Sequence, residues 1–318
     1  MKSASLWKTL LKIVISGVIV ALLLHNLSVQ TVADAMKAIS PLQMGVMVVV
    51  YLAIQFICSF KWLLLARAMG LQGAVLPFFR YYLLGMFFGL FLPTGIGGDV
   101  GRAVLLARDT GSRWMQAFLS ILSERICGLS ALLTLTWIGF SWVHPPEWSV
   151  FSVTVLTGML LLTYGFTLCF RWIEHHAWGK TFIKRFVLKQ HALDEDAGDV
   201  WPGSKMILVG IGLSLLTHAM LIGLQSLILA QLGAPQPYLL VATVAGLATV
   251  ASMLPVSLSG IGVREGSAVV LLVHWGHVPT DIATVFTLIW LSMMVLATVP
   301  GGLLLLKNQV LGPVAKKI

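Results

Sequence analysis

Two apolar stretches of this chain are broken in the same way. Residues 92–102 read Leu-Pro-Thr-Gly-Ile-Gly-Gly-Asp-Val-Gly-Arg, and residues 254–266 read Leu-Pro-Val-Ser-Leu-Ser-Gly-Ile-Gly-Val-Arg-Glu-Gly. Both begin Leu-Pro and both contain Gly-Ile-Gly: Gly95, Ile96 and Gly97 match Gly260, Ile261 and Gly262. Both then carry an acid and an Arg, Asp99 with Arg102 in the first and Arg264 with Glu265 in the second. An uninterrupted helix through lipid does not normally carry this. In hydrocarbon every backbone N–H and C=O needs a partner, so broken backbone survives only where protein or water covers it. Glycine permits positive φ and close approach of a ligand. A helix that restarts after such a break presents unpaired N–H groups and a partial positive charge, which favours an anion and above all a phosphate.

Composition places these breaks in a membrane. The 318 residues are 58% hydrophobic and only 10% charged, against about 25% charged in an ordinary soluble domain. The net charge of +9 is read as cytoplasmic Lys and Arg under the positive-inside rule. It is not a nucleic-acid surface, because the basic residues form no stripe interleaved with aromatics. Cys58, Cys127 and Cys169 lie singly inside apolar runs and are expected in the core. There is no HExxH, GxSxG or P-loop. Glu174-His175-His176 and His274 with His277 lack further ligands at zinc-site spacing, so no metal and no cofactor is expected. His218, inside a span, reads more readily as a packed, hydrogen-bonded side chain than as a proton relay. Ser257 and Ser259 read as caps of the restarting helix rather than as nucleophiles.

The spans follow from apolar length. Ile13 to Leu24 forms a first, uncleaved span after Lys2, Lys8 and Lys12. The next runs from Leu42 to Ala66, with Lys61 and Arg67 at its end, both able to snorkel to the interface. Phe78 to Leu92 is shorter than the ~20 residues a span needs and leads into the first break. Met115 to Trp142, Val150 to Phe170, Met206 to Leu232 and Ile282 to Leu306 are full spans. His144-Pro145-Pro146 makes a turn, and Arg171 to Lys205 a polar loop. Tyr238 to Leu254 is short and leads into the second break. If both breaks are re-entrant hairpins, the two termini, residues 67–113 and the 171–205 loop all face the cytoplasm, as the positive-inside rule requires. The fold class expected is an all-α polytopic membrane protein: about six spanning helices plus two re-entrant broken hairpins, arranged as inverted repeats. The halves are roughly 1–145 and 146–318 of a single domain. Paired Gly/Pro-interrupted segments in inverted halves are the architecture of many transporters. Trp62, Trp114, Trp142, Trp148, Trp172 and Trp275 fall near span ends, as an aromatic belt would.

Six charged residues lie at membrane depth: Asp99, Arg102, Glu124, Arg125, Arg264 and Glu265. One such charge costs roughly 2.5–3.5 kcal/mol even on the lenient insertion scale. They must either pair with each other or face a water-filled chamber. The functional reading is a polar chamber in which Arg102, Arg125 and Arg264, with Gly95, Gly97, Gly98, Gly260 and Gly262 shaping the helix ends, hold a phosphate. The planar guanidinium suits that role because it bonds two oxygens at once. Asp99, Glu124 and Glu265 are then the charge partners that orient the Arg side chains.

These residues carry a resemblance. The Pro-Thr-Gly-Ile-Gly-Gly-Asp-Val-Gly-Arg segment, the Glu124-Arg125 pair with Gly128, and the Pro-Val-Ser-Leu-Ser-Gly-Ile-Gly-Val-Arg-Glu-Gly segment resemble the lysylphosphatidylglycerol synthase transmembrane-region family, also described as flippase-like proteins. The resemblance covers nearly the whole chain. It implies a lipid flippase, or the membrane domain of an aminoacyl-phospholipid synthase, with a separate soluble domain performing aminoacyl transfer in fused members. No such domain follows Ile318 in this sequence, so no enzymatic activity is expected. The expectation is a flippase-like transporter in the bacterial inner membrane, both termini cytoplasmic, moving an anionic lipid between leaflets. That lipid is a phospholipid or carries a polyprenyl-phosphate-linked headgroup. The alternatives are a small-solute or ion-coupled secondary transporter, or a non-transporting partner of an envelope glycolipid or phospholipid enzyme.

Overall fold

The computed structural model describes residues 39–91, 97–143, 149–176, 201–254, 257 and 259–306. These form the helices α1 (Pro41–Ala68), α2 (Val75–Phe91), α3 (Gly97–Thr110), α4 (Trp114–Val143), α5 (Ser149–His175), α6 (Ser204–Gln231), α7 (Tyr238–Ser252), α8 (Val263–Gly276) and α9 (Thr280–Leu306). Among the described residues, α1, α4, α6 and α9 are long and apolar enough to cross a membrane. In α5 the apolar part is shorter, Thr157–Cys169, and the helix runs on past Phe170 to His175. The expected span Ile13–Leu24, Gly95, the His144-Pro145-Pro146 turn, Trp148 and most of the 171–205 loop lie outside the described residues.

Local chemistry sets the helix ends. Ser40 caps α1: its Oγ accepts from the Gln43 N–H at 3.2 Å, and Gln43 Oε1 accepts from the Ser40 N–H at 2.8 Å. With Pro41 at the first helical position this is a complete start signal. The second break is a run of left-handed backbone, Ser259 at φ 51°, Gly260 at φ 80° and Gly262 at φ 87°. Glycine accepts such angles without a Cβ penalty. At Gly260 a Cβ would also meet Ser252 Cβ at 2.7 Å, so the chain folds back onto the end of α7.

The helices pack in a pattern that survives an exchange of labels. α2 packs on α3 as α7 packs on α8. α3 packs on α4 as α8 packs on α9, and α1 on α2 as α6 on α7. Across the molecule α4 packs on α7 while α9 packs on α2. The helices α1 and α6 pack on each other, α1 also meets α9 and α4, and α6 meets α4 and α9. Beyond this set α5 packs on α4.

The two cross-packed pairs are closed by glycines. On α4, a Cβ at Gly139 would run into the Leu239 carbonyl and, at 2.5 Å, the Thr243 Oγ1 of α7. On α7, a Cβ at Gly246 would overlap the Thr136 hydroxyl of α4. On α9, Gly301 lies against the Leu83 carbonyl of α2, and Gly302 has room for no more than Phe87 Cε2, which a Cβ would meet at 2.8 Å. Lipid offers no hydrophobic drive between helices, so small residues that let backbones approach carry the association.

Trp62 is fully buried, not an interfacial anchor, whereas Trp114, Trp142 and Trp172 are exposed as a belt requires and Trp275 is half-buried against Phe140. Cys58 and Cys127 are buried, but Cys169 is exposed on the apolar outer face of α5. An apolar run in a membrane helix reports lipid contact as readily as core.

A leucine at Gly246 is expected to destabilise the protein by at least 1–3 kcal/mol, roughly the cost of overpacking a tight interior. Thermal unfolding in detergent checks this against Gly158→Ala, at a site with nothing within 4 Å of the added Cβ. Equal unfolding temperatures would refute the close-packing role.

Candidate functional site

Glu124 sits inside α4 and is 4% exposed. Its Oε1 is 3.1 Å from Lys61 Nζ of α1, and its Oε2 is 3.3 Å from Arg102 Nη2 of α3. Lys61 also donates to Ser214 Oγ of α6 at 2.9 Å. One carboxylate thus ties three helices together, with a fourth held through the lysine. Arg102 is 2% exposed, and its guanidinium carbon lies 4.2 Å from the Trp62 ring centre and 4.4 Å from that of Tyr82. Stacked guanidinium over aromatic faces is what permits a cation here.

Adjacent residues on a helix diverge by about 100°, so Arg125 points away from Glu124's buried face. Its Nε and Nη2 donate to Asp99 Oδ2 and Oδ1 at 3.1 and 2.8 Å, a bidentate fork. Asp99 also accepts from Arg102 Nη1 at 3.4 Å. Asp99 lies in the first turn of α3, where its charge suits the helix dipole. The Arg125 side chain nevertheless remains 58% exposed. The cluster holds three cations, Lys61, Arg102 and Arg125, against the two acids Asp99 and Glu124.

The second break builds a smaller version of the same thing. Glu265, in the first turn of α8, accepts from the Gly262 N–H at 2.7 Å. Its other oxygen accepts from Arg264 Nε at 3.0 Å and Nη2 at 2.5 Å. The protein's own carboxylate therefore already caps this helix end, which lowers the dipole's pull on a foreign anion. Ser257 and Ser259 do not cap α8, contrary to expectation. The Ser257 hydroxyl is buried and makes no hydrogen bond among the described residues. Ser259 Oγ instead donates to the Gly89 carbonyl at 2.7 Å. Gly89 is in the last turn of α2, where carbonyls lack intrahelical partners. The second break, far away in sequence, is thereby joined to the end of α2.

Both clusters meet at a cavity of about 320 Å³, at the small end of ligand-site volumes. Arg125 from α4 and Arg264 and Glu265 from α8 line it, with His218 and Gln225 of α6 and Thr249 of α7 as further polar groups. Tyr51, Phe286 and Trp290 form an aromatic wall. Arg102 does not line this cavity; it stands behind it, holding Asp99 and Glu124. Gly98 does not open on it either, since a Cβ there would strike the Gly85 carbonyl of α2 and approach Gly89 N to 3.1 Å. Gly98 serves helix contact, while Gly260 and Gly262 serve the turn. Gly97 is half-buried at the first position of α3.

Lys61 escaped the sequence reading. It was expected to snorkel, yet it is 2% exposed and bonded at the heart of the cluster. The signal was its depth: it lies about 10 Å inside the end of α1 at 1.5 Å rise per residue, beyond easy reach of the interface.

The fold and site define a class, a multi-pass α-helical membrane protein whose interior cavity is lined by arginines paired with acids at helix breaks. The chain belongs to the family described as the lysylphosphatidylglycerol synthase TM region, whose model matches residues 9–301. It is also similar to a "UPF0104 membrane protein" of Methanothermobacter thermautotrophicus, 23% identical over 292 residues, covering 84% of this chain and 86% of the relative. The family is a lipid-handling membrane module, distinct from the catalytic domains of the synthases.

Glu124→Gln removes the shared partner of Lys61 and Arg102 and is expected to cost about 3–5 kcal/mol, the range for breaking a buried pair. Arg108→Gln disturbs the half-exposed pair with Asp109 and is expected to cost about 0–1 kcal/mol. Thermal unfolding in detergent compares them, and equal losses would show that the buried cluster contributes no special stability.

Proposed function

We propose that the protein is a flippase-like transporter of the inner membrane that moves an anionic lipid between leaflets. The cargo is a phospholipid or a polyprenyl-phosphate-linked headgroup. The observation that carries this reading is the joint exposure of Arg125 and Arg264 to one interior cavity, each held by an acid from the first turn of a restarted helix. A phosphate entering between them exchanges protein carboxylate for phosphate oxygen at each guanidinium. Such charge-assisted, two-pronged bonds are the strong ones. The cavity accommodates a headgroup, while the chains stay in the bilayer along the apolar outer faces of the helices.

The architecture in this proposal is an inverted repeat of about six spans and two re-entrant hairpins, with α1 equivalent to α6, α2 to α7, α3 to α8 and α4 to α9. The packing that survives this exchange supports it. So does the positive-inside distribution, which puts both termini in the cytoplasm. Motion of one half against the other around the fixed site would provide alternating access. Arg102, Lys61 and Glu124 are positioning residues here, Asp99 and Glu265 the charge partners. Gly260 and Gly262 shape the second helix break, and Gly98 brings α3 against α2.

Purified protein in liposomes tests this with phosphatidylglycerol, its aminoacylated form and a polyprenyl-phosphate sugar. One lipid should be moved, with Arg125→Ala and Arg264→Ala each lowering the rate about tenfold or more, since a hydrogen bond to a charged group contributes about 1.5–3 kcal/mol. Normal rates in both variants at normal expression would refute the cavity as the site. Uptake of soluble phosphate without lipid movement would favour a solute transporter of the same architecture.

A further inference from the structure

His218 stands where the buried cluster meets the cavity. It lies on α6, one turn beyond Ser214, and its Nδ1 is 2.8 Å from the Ser214 carbonyl. A carbonyl can only accept, so Nδ1 carries the hydrogen in the neutral ring and Nε2 is left as an acceptor. No hydrogen bond to Nε2 is formed among the described residues, and the side chain lines the cavity with Arg125 and Arg264. Gly128 of α4 lies beside the ring. A Cβ there would lie 3.9 Å from His218 Cε1 and 4.0 Å from Lys61 Nζ, so the imidazole and the ammonium converge on one small patch. Ser214 serves both, its hydroxyl accepting from Lys61 at 2.9 Å and its carbonyl from His218.

The charges around this ring come from several helices. From α1 come Lys61, Tyr51 and Cys58, and from α4 come Glu124, Arg125 and Cys127. From α8 come Arg264 and Glu265. Tyr238, at the start of α7, donates to the Ala219 carbonyl beside it. The part of α9 that lines the cavity, Phe286 to Met294, carries no ionisable group. Among the charged groups, cations outnumber acids by one: Lys61, Arg125, Arg264 and the buried Arg102 against Asp99, Glu124 and Glu265.

We infer that His218 is a proton-carrying residue and that the protein moves its anionic cargo together with a proton. This rests on the transport reading above. In the empty cavity a proton on Nε2 adds a positive charge beside two guanidiniums and an ammonium, and is repelled. An anionic phosphate between Arg125 and Arg264 cancels that repulsion and raises the ring's proton affinity. By linkage the proton tightens anion binding by the same factor. A proton binds Nε2 from the side where cargo enters, giving an imidazolium, and leaves from Nε2 when cargo leaves. For a singly charged headgroup the loaded cavity gains no net charge, so the pair crosses electroneutrally. A proton gradient then supplies the driving force.

The experiment uses the full-length protein in liposomes containing phosphatidylglycerol, with a pH-sensitive dye inside. Lipid movement is measured at about pH 6 and pH 8, bracketing the range in which histidine titrates. The wild type should slow about tenfold from the lower to the higher pH and should acidify the lumen as lipid moves inward. His218→Gln keeps a donor for the Ser214 carbonyl but carries no proton, and should move lipid at both pH values at the slow rate of the wild type at pH 8, with no proton flux. A wild type whose lipid movement is independent of pH would overturn proton coupling and leave the flippase reading standing, as would a His218→Gln protein with an unchanged pH profile and proton flux. No phosphatidylglycerol movement at either pH, by protein that also moves none of the other lipids in the panel, would overturn both readings.

Discussion

The larger of the two interior charge clusters hangs on the carboxylate of Glu124. It receives Lys61 from one helix and Arg102 from another, and it does so at 4% exposure. A buried charge without a partner is among the most destabilising features a protein can carry, and a buried pair is tolerated only when its remaining lone pairs and protons are also satisfied. The structure meets most of that demand with Ser214 on the ammonium, Asp99 on the guanidinium, and the rings of Trp62 and Tyr82 on its faces, and leaves Arg102 Nε as the one proton-bearing atom of the guanidinium without a hydrogen bond among the described residues. The same network fixes Asp99, and Asp99 in turn fixes Arg125 at the edge of the cavity. The orientation of Arg125 is therefore set by residues that do not line the cavity.

The two helix breaks contribute differently, although they read alike. In the first, the acid in the restarting turn reaches across to the Arg pair of α3 and α4. In the second, Glu265 turns back on its own helix and on its neighbour Arg264. Asp99 is thus tied to the long helix α4, whereas Glu265 is tied to its own helix end and Ser259 to the end of α2.

Much of the plan was legible in the sequence because membranes simplify the physics. Apolar length reports spans, and interrupted apolar length reports covered backbone. Hence the matching breaks, the pairing of Asp99, Glu124 and Glu265 with arginines, and the convergence of Arg125 and Arg264 were all foreseeable from residue type and position. Arg102 was assigned to the same surface as Arg125 because a one-dimensional reading cannot tell which face of α3 turns inward. Lys61 was assigned to the interface because lysines near helix ends usually snorkel. Its partner, Glu124, lies in a different helix, and nothing local announces that pairing. Trp62 was misassigned for the same reason: its neighbour in space is Arg102.

The sequence by itself determined that the chain is a helical membrane protein with two broken, charge-bearing segments, because hydrocarbon penalises every unpaired polar group wherever it occurs along the chain. Only the tertiary structure decided which charges are spent on one another and which face open space. Pairing depends on distances between helices that the chain's order does not encode. Those distances are set by glycines such as Gly98, Gly246 and Gly301, whose missing side chains let particular helices approach, and so place one arginine behind the cavity and two at its wall.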